Sequence, residues 1–276
     1  MTNIAVCAPA TPITPAHRDA LLALVAAEFP GLTVAFHEQC LARAGHFAGD
    51  DLLRLSALLD CANDPAFDVV WFAKGGYGSN RIAEAAVAQM NAAARAKTYV
   101  GFSDCGYLLA ALYRAGIGQS VHGHMPVSAL SEGGRDAIRR VLRWLEGDTS
   151  GVEPSLDGTT PAAAFNLITL AMLTGTPLMP DLAGHVLMVE EVSEHLYAID
   201  RLFFHLAATL PRLAGLRLGA ITDVPENYVE FGQSEEEIAR FWCARAGIAY
   251  LGRALIGHNA ANHVVPFGLA SPPVQA

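Results

Sequence analysis

The first 125 residues repeat one rhythm, a short apolar run followed by a stretch with helical patterning, and nothing else in the chain constrains its fold as strongly. The runs "NIAVCAP", "LTVAFH", "FDVVWFA", "TYVGFS" and "QSVHG" read as strands, and "FDVVWFA" is apolar on consecutive rather than alternate positions. A strand buried on both faces has no solvent side to mark with polar residues, so the pattern predicts a parallel sheet covered by helices on both faces. The segments between the runs start as helices do. Thr14 stands as N-cap before Pro15 at the first helical position, and "GDDLLRLSALLDCAND" places acids in its first turn. "RIAEAAVAQMNAAARA" and "CGYLLAALYRAG" complete the alternation.

The rhythm breaks at "EGDTSGVEPSLDGTTP", residues 146–161, whose Gly, Pro, Ser, Thr and acids read as a linker. This predicts an α/β domain over 1–148 and a smaller α+β domain over 162–276. In the second, "AAFNLITLAMLTG" and "HLYAIDRLFFHLAATL" read as helices, and "HVLMVEEV" and "LRLGAITDV" as strands. "SEEEIARFWCARAG" reads as a helix opened by a Ser234–Glu237 capping box. The tail "AYLGRALIGHNAANHVVPFG" reads as short strands and loops.

Bulk properties exclude several functions. With 52% apolar residues in 276, the chain can bury a substantial core, yet no apolar run approaches the ~18–20 residues that cross a bilayer. The N-terminal stretch lacks the basic start and apolar core of a secretory leader. Net charge is −9 with no Lys/Arg block, so nucleic acid is not an expected partner. Five cysteines without a CxxC pair read as reduced thiols in a cytoplasmic protein.

Ser103, in "VGFSDCGYLL", stands where a strand gives way to a helix. It is either the cap of that helix or a nucleophile raised at the turn, with free helix N–H groups beside it. The G-x-S-x-G elbow would need glycine at 105, where the chain has Cys105. "KGGYGSNR" has neither G-x-G-x-x-G nor the Walker spacing; its glycines let backbone approach a ligand, and Gly76 N–H is a candidate oxyanion donor. Lys74 and Arg81 are the nearby cations, and Arg81 is a candidate to hold a substrate carboxylate. Glu190 and Glu191 end an apolar strand and point to opposite faces, so one of them needs a buried partner. His258, in the Gly-His turn of "LIGHNAANH", is a candidate general base. His122 and His124, in "VHGHMP", share one strand face and with Asp104 or Glu190 could form a metal site.

Five of these segments, in order, resemble the LD-carboxypeptidase family of serine peptidases, which includes muramoyltetrapeptide carboxypeptidases and microcin-immunity peptidases. They are "AKGGYGSNR", "VGFSD", "VHGHMP", "LMVEEVSEHLYAIDR" and "IGHNAANHVVPFG". The resemblance implies a flavodoxin-like N-terminal domain and a smaller β-rich C-terminal domain, commonly as a homodimer. It implies Ser103 as nucleophile, His258 as base and Glu190 as the orienting acid. Backbone N–H groups of Gly76 and Asp104 would form the oxyanion hole, and Arg81 and Asn166 would contact substrate. The implied activity is release of D-alanine from a murein tetrapeptide in peptidoglycan recycling, with no metal or cofactor. Three positions depart from the family pattern: Lys74 replaces an arginine, Ala164–Phe165 replace a glycine pair, and His124 replaces a common proline. The alternatives are a microcin-immunity-type peptidase cleaving peptidyl-nucleotide amides, a metal-dependent hydrolase built on His122 and His124, and a muropeptide-binding protein without catalysis.

Overall fold

The structure is a computed structural model that describes residues 1–210 and 212–270. The first sheet is built from β1 (Thr2–Cys7), β2 (Leu32–Phe36), β3 (Val69–Phe72), β4 (Thr98–Gly101) and β5 (Gln119–His122). These run parallel in the order β2-β1-β3-β4-β5, the flavodoxin-like doubly wound order. Adjacent strand residues serve opposite faces. Ile4, Val6, Val69 and Trp71 pack with α1 (Pro15–Glu28) and α5 (Glu132–Leu145). Ala5, Cys7, Val70 and Phe72 pack with α2 (Asp51–Asn63), α3 (Asn80–Gln89) and α4 (Gly106–Ala115). Consecutive apolar residues are therefore what a sheet with two covers requires.

The second sheet contains β6 (Ala162–Asn166), β7 (Val186–Val192), β8 (Gly215–Thr222) and β9 (Tyr250–Arg253), parallel in that order. Its helices are α6 (Leu167–Leu173), α7 (Leu196–Thr209) and α8 (Glu235–Ala246). The sequence predicted one helix through "AAFNLITLAMLTG"; instead its first part is β6, paired from Ala162 to Asn166 against Val186 to Glu190 of β7. The small buried side chains of that run fit a strand held on both faces, and this packing overrides alanine's helical preference. The helix begins one residue later, with Asn166 as its N-cap.

Two features tie the halves together. Phe165, Leu167, Leu170, Val189 and Phe203 of the second half share one apolar cluster with Leu108, Leu109 and Leu112 of α4. The tail then returns to the first sheet, where β10 (Val265–Pro266) pairs antiparallel with β5. The segment expected as a linker is pinned against this tail: Val264 N–H donates to Gly151 O at 2.9 Å, and Glu153 N–H to Val264 O at 3.0 Å. Glu153 is itself buried, its carboxylate accepting from Ser155 N–H and Leu255 N–H. The loop between β9 and β10, which carries His258, is thus held over the carboxyl end of the first sheet. Among the described residues no helix is long and apolar enough to cross a membrane.

Candidate active site

The carboxyl ends of β3 and β4 are neighbours, so the glycine loop that follows β3 and the turn that follows β4 meet. Ser103 opens a single 3₁₀ turn, Ser103–Cys105, with φ of 58°, left-handed backbone that side chains other than glycine seldom adopt. The first half of the elbow motif is kept in Gly101-Phe102-Ser103. A Cβ on Gly101 would fall 3.1 Å from that of Cys105, so this glycine makes room for the residue standing where the motif has its second glycine. The N-cap positions of the turn and of α4 are held by Phe102 and Cys105, and the Ser103 hydroxyl faces His258 instead of a helix N–H.

Asp104 fixes the glycine loop rather than the substrate. Its carboxylate accepts Gly78 N–H at 3.1 Å and Ser79 N–H at 3.0 Å, while its carbonyl accepts Ser79 Oγ–H at 2.6 Å. Burial pushes its pKa up, and the bonds from Ser79 and Gly78 oppose that push. Thr11, in the loop after β1, donates its hydroxyl to Gly75 O at 2.6 Å. Held this way, Gly75 backs directly onto Ser103 and the next amide is that of Gly76, whose φ of 103° suits glycine.

The two glutamates of β7 have separate partners. Glu190 is fully buried; its Oε2 lies 2.7 Å from His258 Nδ1, and its Oε1 is without a hydrogen-bond partner among the described residues. Glu191 accepts Asn166 Nδ2–H at 2.7 Å, Ile168 N–H at 2.8 Å and Val192 N–H at 2.9 Å, and so anchors the start of α6. Burial raises the pKa of Glu191 against these bonds.

His258 Nε2 lies 3.1 Å from Ser103 Oγ, completing a line of hydroxyl, imidazole and carboxylate across residues 103, 258 and 190. Burial pulls the His258 pKa down, but the bond to Glu190 and its charge, aided by Glu191 and Asp223, outweigh burial and leave it raised. Phe102 packs under the imidazole with centroids 4.8 Å apart. Asn262, which the sequence reading did not single out, holds the loop: its Oδ1 accepts Gly257 N–H at 3.0 Å. The only hint was its place four residues after His258, within "GHNAANH".

The other candidates fall elsewhere. His122 and His124 both bond to Asn262, at 2.8 and 3.2 Å. Among the described residues, no group of three or more His, Cys, Asp or Glu side chains could hold a metal ion. Arg81 was expected on the substrate; its guanidinium instead meets Asp51, with Nε 2.9 and 3.0 Å from the two carboxylate oxygens. Asn166 borders the site but spends its amide on Glu191 and on the N-cap of α6.

Ser103 separates two cavities. One, of about 470 Å³, is lined by Lys74, His124, Ser128, His258 and the first turn of α5. The other, of about 360 Å³, is lined by Tyr77, Tyr107, Asn166, Met172, Glu191 and Glu194. Gly76 borders both.

Models of the LD-carboxypeptidase N-terminal and C-terminal domains match residues 4–123 and 161–271. The chain belongs to the LD-carboxypeptidase family. It is 27% identical over 290 residues to the murein tetrapeptide carboxypeptidase of Pseudomonas aeruginosa, spanning 96% of this chain and 91% of that protein. The structure superposes on that of muramoyltetrapeptide carboxypeptidase from Oxalobacter formigenes with TM-score 0.79 at 24% identity, covering 99% of this chain and 96% of the other. The microcin C7 self-immunity protein MccF shares the fold, with TM-score 0.77 at 16% identity and coverage of 97% and 91%. Membership in this LD-carboxypeptidase family makes the protein an enzyme of the serine peptidase class.

Proposed function

We propose that the protein is a serine LD-carboxypeptidase that hydrolyses the amide to the terminal D-alanine of a murein tetrapeptide. One observation carries this: the hydrogen-bonded line from Ser103 Oγ through His258 to the buried Glu190. Ser103 Oγ attacks the carbonyl carbon while its proton passes to His258 Nε2. Glu190 holds the tautomer and stabilises the imidazolium. The oxyanion forms against the N–H groups of Gly76 and Asp104; losing one such donor typically costs ~3–4 kcal/mol in the barrier. The C–N bond then breaks, and His258 returns the proton to the leaving amine. Water attacks the acyl ester, gives its proton to His258, and Ser103 recovers it as the peptide acid departs.

The same reading includes a cytoplasmic homodimer that recycles wall peptides. All five cysteines are free and buried, which supports a reducing compartment. The test is D-alanine release from the tetrapeptide by the wild-type protein and by Ser103→Ala. The wild type should turn over and label with a fluorophosphonate; the variant should do neither, with an unchanged circular dichroism spectrum. Turnover by a folded Ser103→Ala protein overturns the mechanism.

A further inference from the structure

Asn262 fixes more than a loop. Its side chain is buried, and its Oδ1 accepts Gly257 N–H. A main-chain N–H can only donate, so the amide has one orientation. Oδ1 also accepts from His122 Nε2, and Nδ2 must therefore donate to Nδ1 of His124. His124 is left with its proton on Nε2. The ring cannot swing away: it stacks on Phe102 at 5.1 Å and 22°, is only 6% exposed, and its own carbonyl accepts Trp71 Nε1–H at 2.8 Å. Burial drives its pKa down to about 3, and His258, His122 and Arg140 push in the same direction, so the ring is neutral in the working range. Its Nε2–H has no partner among the described residues, and the ring lines the cavity of about 470 Å³ beside Ser103. A donor held that way awaits an acceptor.

Lys74 lines the same cavity, and no carboxylate among the described residues pairs with it. Gly133 and Gly134 bring the positive end of α5, a 14-residue helix, to the same wall. The cavity across Ser103 has the opposite character, with Glu191 and Glu194 in its lining. A carboxylate is therefore drawn to the α5 side and repelled from the α6 side.

We propose that His124 is a specificity residue, a tautomer-locked neutral donor that works with Lys74 to take the substrate's C-terminal carboxylate in the cavity on the α5 side of Ser103. This deepens the carboxypeptidase reading and rests on it for the identity of the leaving group. It places the departing amino acid against α5 and the acyl portion toward α6. Proline is common at this position in the family pattern, and His124 supplies a donor that proline lacks.

Binding alone tests it, using N-acetyl-D-alanine and N-acetyl-D-alaninamide on Ser103→Ala protein by calorimetry. The carboxylate should bind about tenfold or more tightly than the carboxamide, the scale of a charge-assisted bond. His124→Phe keeps the stacked ring without the donor, and Lys74→Met leaves the Asn262 network intact; each should cut that preference about fivefold or more. On the Ser103 background both should raise KM with kcat held within about twofold, as loss of uniform binding does. Nitrogen-15 spectra should show His124 protonated at Nε2 only. Equal binding of acid and amide, an unaltered preference in Lys74→Met, or the opposite tautomer overturns the proposal. A carboxylate preference that both variants weaken, in a protein that releases no D-alanine, would leave this subsite standing and remove the proposed reaction.

Discussion

Gly75 stands so close to Ser103 that a Cβ at position 75 would lie 3.2 Å from the serine Cβ and 3.3 Å from its Oγ. The backbone at 75 is ordinary, so Gly75→Ala can fold; what must yield is the serine. Displacement of a nucleophile by a fraction of an ångström misaligns it with both base and carbonyl. We expect kcat/KM to fall about tenfold to a hundredfold, with Tm nearly unchanged. A variant with full activity would show that the loop absorbs the methyl group without moving Ser103.

The left-handed backbone at Ser103 sets stability against activity. A residue with a Cβ in that region costs ~1–2 kcal/mol that glycine avoids. Ser103→Gly should therefore be more stable than Ser103→Ala by about 1 kcal/mol in denaturant unfolding, although both lack the hydroxyl. Equal stabilities would mean that the turn relaxes once the hydroxyl is gone.

Asp104 links the nucleophile turn to the glycine loop through two amides that can only donate. Asp104→Asn keeps the shape but turns an NH₂ toward one of them. Leaving a buried donor unmatched costs ~1–3 kcal/mol, and the freed loop carries Gly76. We expect both a lower unfolding midpoint and a lower kcat, since a displaced amide no longer meets the oxyanion. A loss of stability with kcat intact would separate the loop's anchoring from catalysis.

These relationships were unequally legible in the sequence. The parallel sheet followed from uninterrupted apolar runs, because burial on two faces leaves a local mark. Ser103 was visible as a polar residue at a strand-to-helix turn, but the imidazole that its hydroxyl meets belongs to His258, 155 positions away. Within "AAFNLITLAMLTG" local propensity favoured a helix and only pairing with β7 makes its first part a strand. The return of β10 to the first sheet is equally non-local. Arg81 was placed near substrate by proximity in the chain, yet Asp51, 30 positions earlier, claims it. Asn262 acts through partners at 122, 124 and 257, a convergence that no spacing announces.

The pH dependence follows from the raised His258. Burial alone would lower its pKa; the bond to Glu190 and its charge, with Glu191 and Asp223, more than reverse this. The reaction needs the neutral imidazole, so kcat/KM should rise with pH through the raised pKa, and its acidic limb should lie above that of an ordinary histidine. Glu190→Gln removes the dominant raising partner while burial remains. The limb should then move to lower pH as the plateau rate falls steeply, because the imidazolium formed during attack loses its counter-charge. Stability has the opposite trend. A histidine whose pKa is higher folded than unfolded contributes stability fully below its unfolded value and loses it as pH rises through the folded value. Wild-type stability should therefore exceed that of His258→Gln by more at acidic than at alkaline pH, with the loss running from the unfolded pKa up to the folded pKa that the rate reports. A stability difference still falling at pH values well above the midpoint of the rate's acidic limb would mean that a group other than His258 governs the rate.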